Sequence, residues 1–178
     1  MEDLSNVFLM QQRPFGEKWA QNYLLEHFKE FDDPRKYDKQ YNGEYDLVMP
    51  LKNGKFIRIE VKAARMLKPK ENDYQSLLDR AAKMSEIDEI EDFGFFQIKN
   101  YCTDVFILMT VFKDGIKYFV FSSKDIIDYD KYSDKQHRGN KGEGQIGIRK
   151  SDFKEFFSYE IDKKDLINAV IDAYKRNF

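Results

Sequence analysis

Two alternations, one of period two and one of helical period, divide the chain into elements. From residue 16 to about 30, Trp19, Tyr23, Leu24 and Phe28 recur at helical spacing and predict a first amphipathic helix. Phe31-Asp32-Asp33-Pro34 ends it, because proline disfavours helical geometry in the residue before it. Asp32 and Asp33, beside that proline, read as turn residues. Residues 44–50 and 56–62 alternate strictly and predict a β-hairpin. After Lys62, Ala63-Ala64-Arg65-Met66 reads as leaving the strand. Residues 73–90 read as a helix with Leu77, Leu78, Ala81 and Ala82 inward. Three strands then follow, over 95–98, 104–112 and 116–122. The run from Val105 to Val111 is nearly all apolar, which suits a central strand covered on both faces. Asp114-Gly115 is a hairpin signal, and Ser122 or Ser123 caps a short helix over 125–129. Residues 145–149 read as an edge strand. Asp152 with Glu155 reads as a capping box before Phe153, Phe156 and Phe157, and residues 162–176 as a final amphipathic helix. The order predicts an α/β (α+β) fold with a mixed central sheet flanked by helices. With no repeat, linker or boundary, residues 1–178 read as one domain.

Turn length sets the register of the hairpin. A two-residue Asn53-Gly54 turn would pair Asp46 with Val61. A three-residue loop, Lys52-Asn53-Gly54 with Gly54 left-handed, pairs Leu51 with Lys55 and puts Asp46 across from Glu60 and Glu44 across from Lys62. Only the second register gathers Tyr45, Leu47, Met49, Ile57, Ile59 and Val61 on one face and the charges on the other. A one-residue slip would bury the wrong set, so the three-residue loop is expected.

Composition changes this picture little. Hydrophobic residues make up 42% of the 178, and sixteen Phe and eleven Tyr supply packing area, so a sizeable core is expected rather than disorder. The net charge of −2 does not itself point to nucleic acid. Its distribution says more. Seven basic residues (Lys52, Lys55, Arg58, Lys62, Arg65, Lys68, Lys70) face one acid, Glu60, between positions 52 and 70, whereas residues 71–92 hold eight acids against Arg80 and Lys83. A basic strip beside the hairpin fits a polyanionic substrate. Cys102 is alone, which excludes an internal disulfide, and its apolar neighbours read as core. The start of the chain is acidic and carries no long apolar run. A soluble, cytoplasmic protein without a membrane span is expected.

Two carboxylates facing each other repel, and a divalent cation gives them a reason to coexist. Lys62 lies two residues beyond Glu60 on the same face, about 6.6 Å along the strand, where it can hold a water or take its proton. Asp46 followed by Glu60-Val61-Lys62 in a hairpin resembles the PD-(D/E)xK nuclease superfamily, whose restriction endonucleases carry this core. Tyr45, not proline, precedes Asp46. The resemblance implies a restriction-endonuclease-like core, with Asp46, Glu60 and the Val61 carbonyl as metal ligands and Lys62 as the water-orienting residue. It implies Mg²⁺, with Mn²⁺ as a substitute, and double-stranded DNA as partner. An acid of the first helix helps the metal site in some relatives of the fold. Glu17 and Glu26 are the candidates, against the plainer reading of exposed helix acids.

Residues 136–145 hold three glycines and no apolar side chain, as functional surface loops often do. His137, Arg138, Asn140, Lys141 and Gln145 are candidate DNA contacts there, Arg138 for guanine and Asn140 or Gln145 for adenine. Arg65, Lys68 and Lys70 are candidates for phosphate. The alternative is a plain surface loop. Nucleotide-binding loops of the G-x-x-x-x-G-K-[ST] and G-x-G-x-x-G kinds are absent, and one Cys with two His cannot build a common structural zinc site. The leading expectation is a type II restriction enzyme acting as a homodimer on a palindromic site. A structure-selective nuclease of the same fold (junction-resolving or repair) and an inactive DNA-binding module are the alternatives.

Overall fold

Eight residues of strand β4 (Val105–Phe112) are buried without exception, and the rest of the molecule is layered on its two faces. The computed structural model describes residues 2–135 and 142–178. β4 lies at the middle of a five-stranded mixed sheet of order β1-β2-β4-β5-β8. β1 (Leu47–Pro50) pairs antiparallel with β2 (Phe56–Arg65), and β2 runs parallel to β4. β4 pairs antiparallel with β5 (Gly115–Ser122), which carries the two-residue β8 (Glu160–Ile161). A second antiparallel sheet has the order β3-β7-β6, from β3 (Asp92–Ile98), β6 (Tyr132–Ser133) and β7 (Gly144–Arg149).

Side chains alternate across a strand, so β4 feeds two cores. Val105, Ile107, Met109 and Val111 pack with Leu47, Met49, Ile57, Ile59 and Val61 against the N-terminal helical segment and the last helix. That segment runs from α1 (Gln12–Pro14) through a π-helical turn (Phe15–Trp19) into α2 (Ala20–His27). Phe106, Leu108 and Phe112 face the other way, toward the second sheet and Phe119, Phe121, Phe153 and Phe156. The fold is thus a mixed α/β arrangement with helices flanking the five-stranded sheet. Among the described residues no helix is long and apolar enough to cross a membrane.

The hairpin register is the expected one. Leu47 lies opposite Ile59 and Met49 opposite Ile57, Leu51 donates to the Lys55 carbonyl at 2.8 Å, and Gly54 sits at φ +79°. Asp32 and Asp33 are turn residues, Asp33 accepting from the Arg35 amide. Ser122 caps α4 (Ser123–Asp128) in a reciprocal box with Asp125. In α6 (Leu166–Arg176), Leu166, Val170 and Ala173 are buried. Ala169 and Tyr174 are partly buried against the same core.

Four expectations are corrected. Ala63, Ala64 and Arg65 do not leave the strand: β2 continues through them, held by pairing to Met109, Thr110 and Val111. Residues 73–90 are no single helix but α3 (Leu77–Arg80) followed by a 3₁₀ segment (Met84–Glu89). Ala81 leaves helical geometry because the chain there pairs with the end of β2: Lys68 donates to the Arg80 carbonyl and Ala82 to that of Met66. β7 lies between β3 and β6, not at an edge. Asp152 makes no side-chain cap on α5 (Phe153–Phe157). Its carboxylate accepts from the Arg149 amide instead, closing the preceding 3₁₀ turn.

Candidate functional site: a carboxylate pair in an open cleft

β1 is four residues long and β2 ten, so β2 runs on past its antiparallel partner. At that step Asp46, just before β1, donates its amide to the Ile59 carbonyl at 2.9 Å. Its side chain then takes the place of the missing strand: Oδ2 accepts from the Val61 amide at 2.7 Å. Oδ1 accepts from Gln21 Nε2 of α2, also at 2.7 Å. A residue's N–H and C=O point to the same side of a strand, so the Val61 carbonyl opens toward this same edge.

Glu60 projects to the face shared with Phe106 and Leu108 and is only 2% exposed. Its Oε1 lies 2.9 Å from Lys62 Nζ, and its Oε2 accepts from the Lys99 amide at 2.9 Å. Burial pushes both carboxyls above their ordinary values. For Asp46 the pull of Lys62, the Val61 amide and Lys99 opposes that rise. For Glu60 the pull of Lys62 opposes it, and repulsion from Asp46 adds to it.

The pair lines a cleft of about 1990 Å³, whose walls include residues of β3 and β7. Pockets for small ligands run to roughly 300–1,000 Å³, so this one suits a larger, extended molecule. Among the described residues no group of three or more His, Cys, Asp and Glu side chains is gathered for a metal. Two carboxylates and a carbonyl nevertheless match Mg²⁺, which commonly takes one or two carboxylates and keeps several waters. Each carboxylate oxygen here accepts one hydrogen bond and has lone-pair capacity left over.

The structure brings Asp46, Glu60, Val61 and Lys62 together and disperses much of the basic strip. Arg65 is 8% exposed, and its guanidinium is held by the Val7 and Met10 carbonyls, Gln12 Oε1 and the Phe15 ring. It is a structural residue and leaves the set of phosphate contacts. Arg58 forks onto Asp104 at 2.8 and 3.1 Å. Lys68 faces Glu86 and Glu89, at 3.6 and 3.8 Å. Lys70 lines the cleft but lies 3.3 Å from Asp73. Gln145 lines the cleft from β7. His137, Arg138, Asn140 and Lys141 lie outside the described residues, as does the Glu17 side chain. Glu26 is exposed and lines a separate small pocket beside Trp19. Cys102 is buried, its thiol donating to the Glu44 carbonyl at 3.1 Å, as the core reading expects.

Gln21 and Lys99 were not visible as site residues from the sequence. Their contacts span 25 and 39 positions, and neither belongs to a motif. Comparisons of this chain with models of protein families, with curated proteins and with solved structures find no match, so the geometry stands alone.

Proposed function

We propose that the chain is a Mg²⁺-dependent DNA endonuclease with a PD-(D/E)xK-type site on a restriction-endonuclease-like core, its leading role that of a type II restriction enzyme. One observation carries the reading. Asp46 and Glu60 line one large cleft where β2 outruns β1, Asp46 held by the Val61 amide and Glu60 2.9 Å from Lys62 Nζ. Asp46, Glu60 and the Val61 carbonyl would hold the cation, which when bound supplies Lewis-acid polarisation of the phosphate and acidifies a nearby water.

The chain's own residues do the rest. Gln21 and the Val61 amide fix the Asp46 carboxylate, and the Lys99 amide fixes that of Glu60, so neither must reorganise when substrate arrives. Lys62 orients the attacking water and faces the negative charge that develops on the phosphate. In-line attack forms a bond from the water oxygen to phosphorus and breaks the bond to the 3′-oxygen, which takes a proton. The products are a 5′-phosphate and a 3′-hydroxyl. Both carboxyls are pushed up by burial, and a cation needs them ionised, so cation affinity rises with pH. Cutting both strands with one site per chain goes with a two-fold dimer, which sedimentation on a palindromic duplex would reveal.

The test is digestion of unmethylated phage and plasmid DNA with Mg²⁺. Asp46→Ala and Lys62→Ala should each lower cleavage by about 10²-fold or more while circular dichroism stays unchanged. Undiminished cutting by either variant rejects the site. Discrete fragments mark a restriction enzyme. Cutting confined to branched or damaged DNA marks the structure-selective alternative.

A further inference from the structure

The wall of the cleft formed by β3 and β7 has features that the hydrolysis does not use. Phe96 of β3 is a large aromatic, 55% exposed, that lines the cleft. The next residue, Gln97, is at φ +58°, the only left-handed non-glycine residue among those described. The β3–β7 pairing shifts register at the same place, between Phe96 and Ile98. This bulge breaks the strand's alternation: Phe95 and Ile98 are buried, while Phe96 and Gln97 are both exposed and both line the cleft. A non-glycine residue in that conformation is costly and marks sites of function more often than chance.

Beside Phe96 the sheet is bare. Gly94 and Gly147 are directly paired across β3 and β7, next to the pair Phe96–Gln145. A Cβ on Gly94 would come within 3.2 Å of the Phe96 ring and 3.0 Å of the Ile146 carbonyl, so the ring lies down over this glycine. At Gly147 a Cβ would meet nothing within 4 Å, so no internal packing asks for glycine there. Glycine in a strand with no packing reason leaves room for a close approach from outside. Of the cations lining the cleft, Arg65 is buried, Lys70 faces Asp73, and Lys131 lies 3.1 Å from Asp130 and 3.2 Å from Asp152, while Lys99 and Arg149 line it as well. An exposed aromatic face adds a source of affinity for a nucleic acid besides phosphate pairing.

We infer that this wall is a base-binding platform, in which Phe96 stacks on one unpaired base beside the scissile bond while the Gln97 and Gln145 amides meet its edge. The inference rests on the nuclease reading and, within it, favours the structure-selective alternative, because it asks for DNA with an unstacked nucleotide near the cut. A paired base in a duplex offers only its edges, whereas an aromatic ring needs a base face. The spacing is suitable. Phe96 lies three residues before Lys99, whose amide holds Glu60, a reach of at most about 10 Å. At about 3.4 Å per nucleotide along one strand, that bound keeps Phe96 within about three nucleotides of Glu60.

The test is fluorescence titration, in EDTA, of oligonucleotides carrying one 2-aminopurine, either unpaired in a bulge or fully paired. The wild-type protein should bind the bulged form about 10-fold or more tighter than the paired duplex and quench its fluorescence. Phe96→Leu, which still covers Gly94 but has no aromatic face, should lose about 10-fold of that affinity, and Phe96→Trp should restore it. Equal binding of bulged and paired DNA, or a Phe96→Leu protein that binds and quenches like wild type, overturns the platform. Mg²⁺-dependent cutting of plain duplex alongside either result leaves the nuclease reading standing. Quenching that depends on Phe96, with no cutting of any substrate, supports the platform and sinks the nuclease reading instead.

Discussion

Asp46 and Glu60 are carboxyls largely withdrawn from solvent, and the protein bears their charge as a cost to stability. Because burial raises both carboxyl pKa values, the native state binds more protons than the unfolded chain from about pH 4 upward. Stability contributed by these groups therefore falls as pH rises through that window. Asp46→Asn removes one charge and, with the Gln21 amide flipped, keeps both hydrogen bonds. Thermal unfolding at several pH values should show this variant more stable than wild type at neutral pH, the gain vanishing below about pH 4. Arg65 behaves oppositely, since its guanidinium satisfies the Val7 and Met10 carbonyls. Arg65→Ala should cost about 2–4 kcal/mol in denaturant titration, and Arg65→Lys should recover only part, for want of the planar fork. Asp46, Glu60 and Lys62 were legible in the sequence because alternation and turn length determine which side chains share a face. The fate of Arg65 was not, because it depends on an N-terminal segment more than fifty residues away.

Short elements show where local signals suffice. Ser122 and Asp125 satisfy each other's backbone amides whatever packs around them, and the cap was readable. Ser122→Ala should lower stability by about 1 kcal/mol, measured by urea unfolding. Residues 73–90 show the opposite case. Their helical pattern is real, yet Leu67 and Ala81 form an isolated bridge, and pairing with the end of β2 overrides propensity after Arg80. β7 read as an edge strand because β6, its outer neighbour, is only two residues long, too short for any period to register.

At the scale of the molecule, the two cores on either side of β4 were implied by the nearly all-apolar run of that strand. What fills the second core was not, since it is assembled from β3, β7 and α5, far apart in the chain. Phe119 is its pivot, fully buried with its ring 4.3 Å from that of Phe156. Phe119→Ala should cost about 3–5 kcal/mol in chemical denaturation and lower the melting temperature accordingly. The difference in length between β1 and β2 has a consequence of its own. Had β1 begun two residues earlier in regular pairing, its backbone would have claimed the Val61 amide, and the Asp46 side chain would have no gap to fill. The catalytic apparatus proposed for this chain is thus less an ornament added to a finished scaffold than a zipper stopped short, and closing its last teeth would erase it.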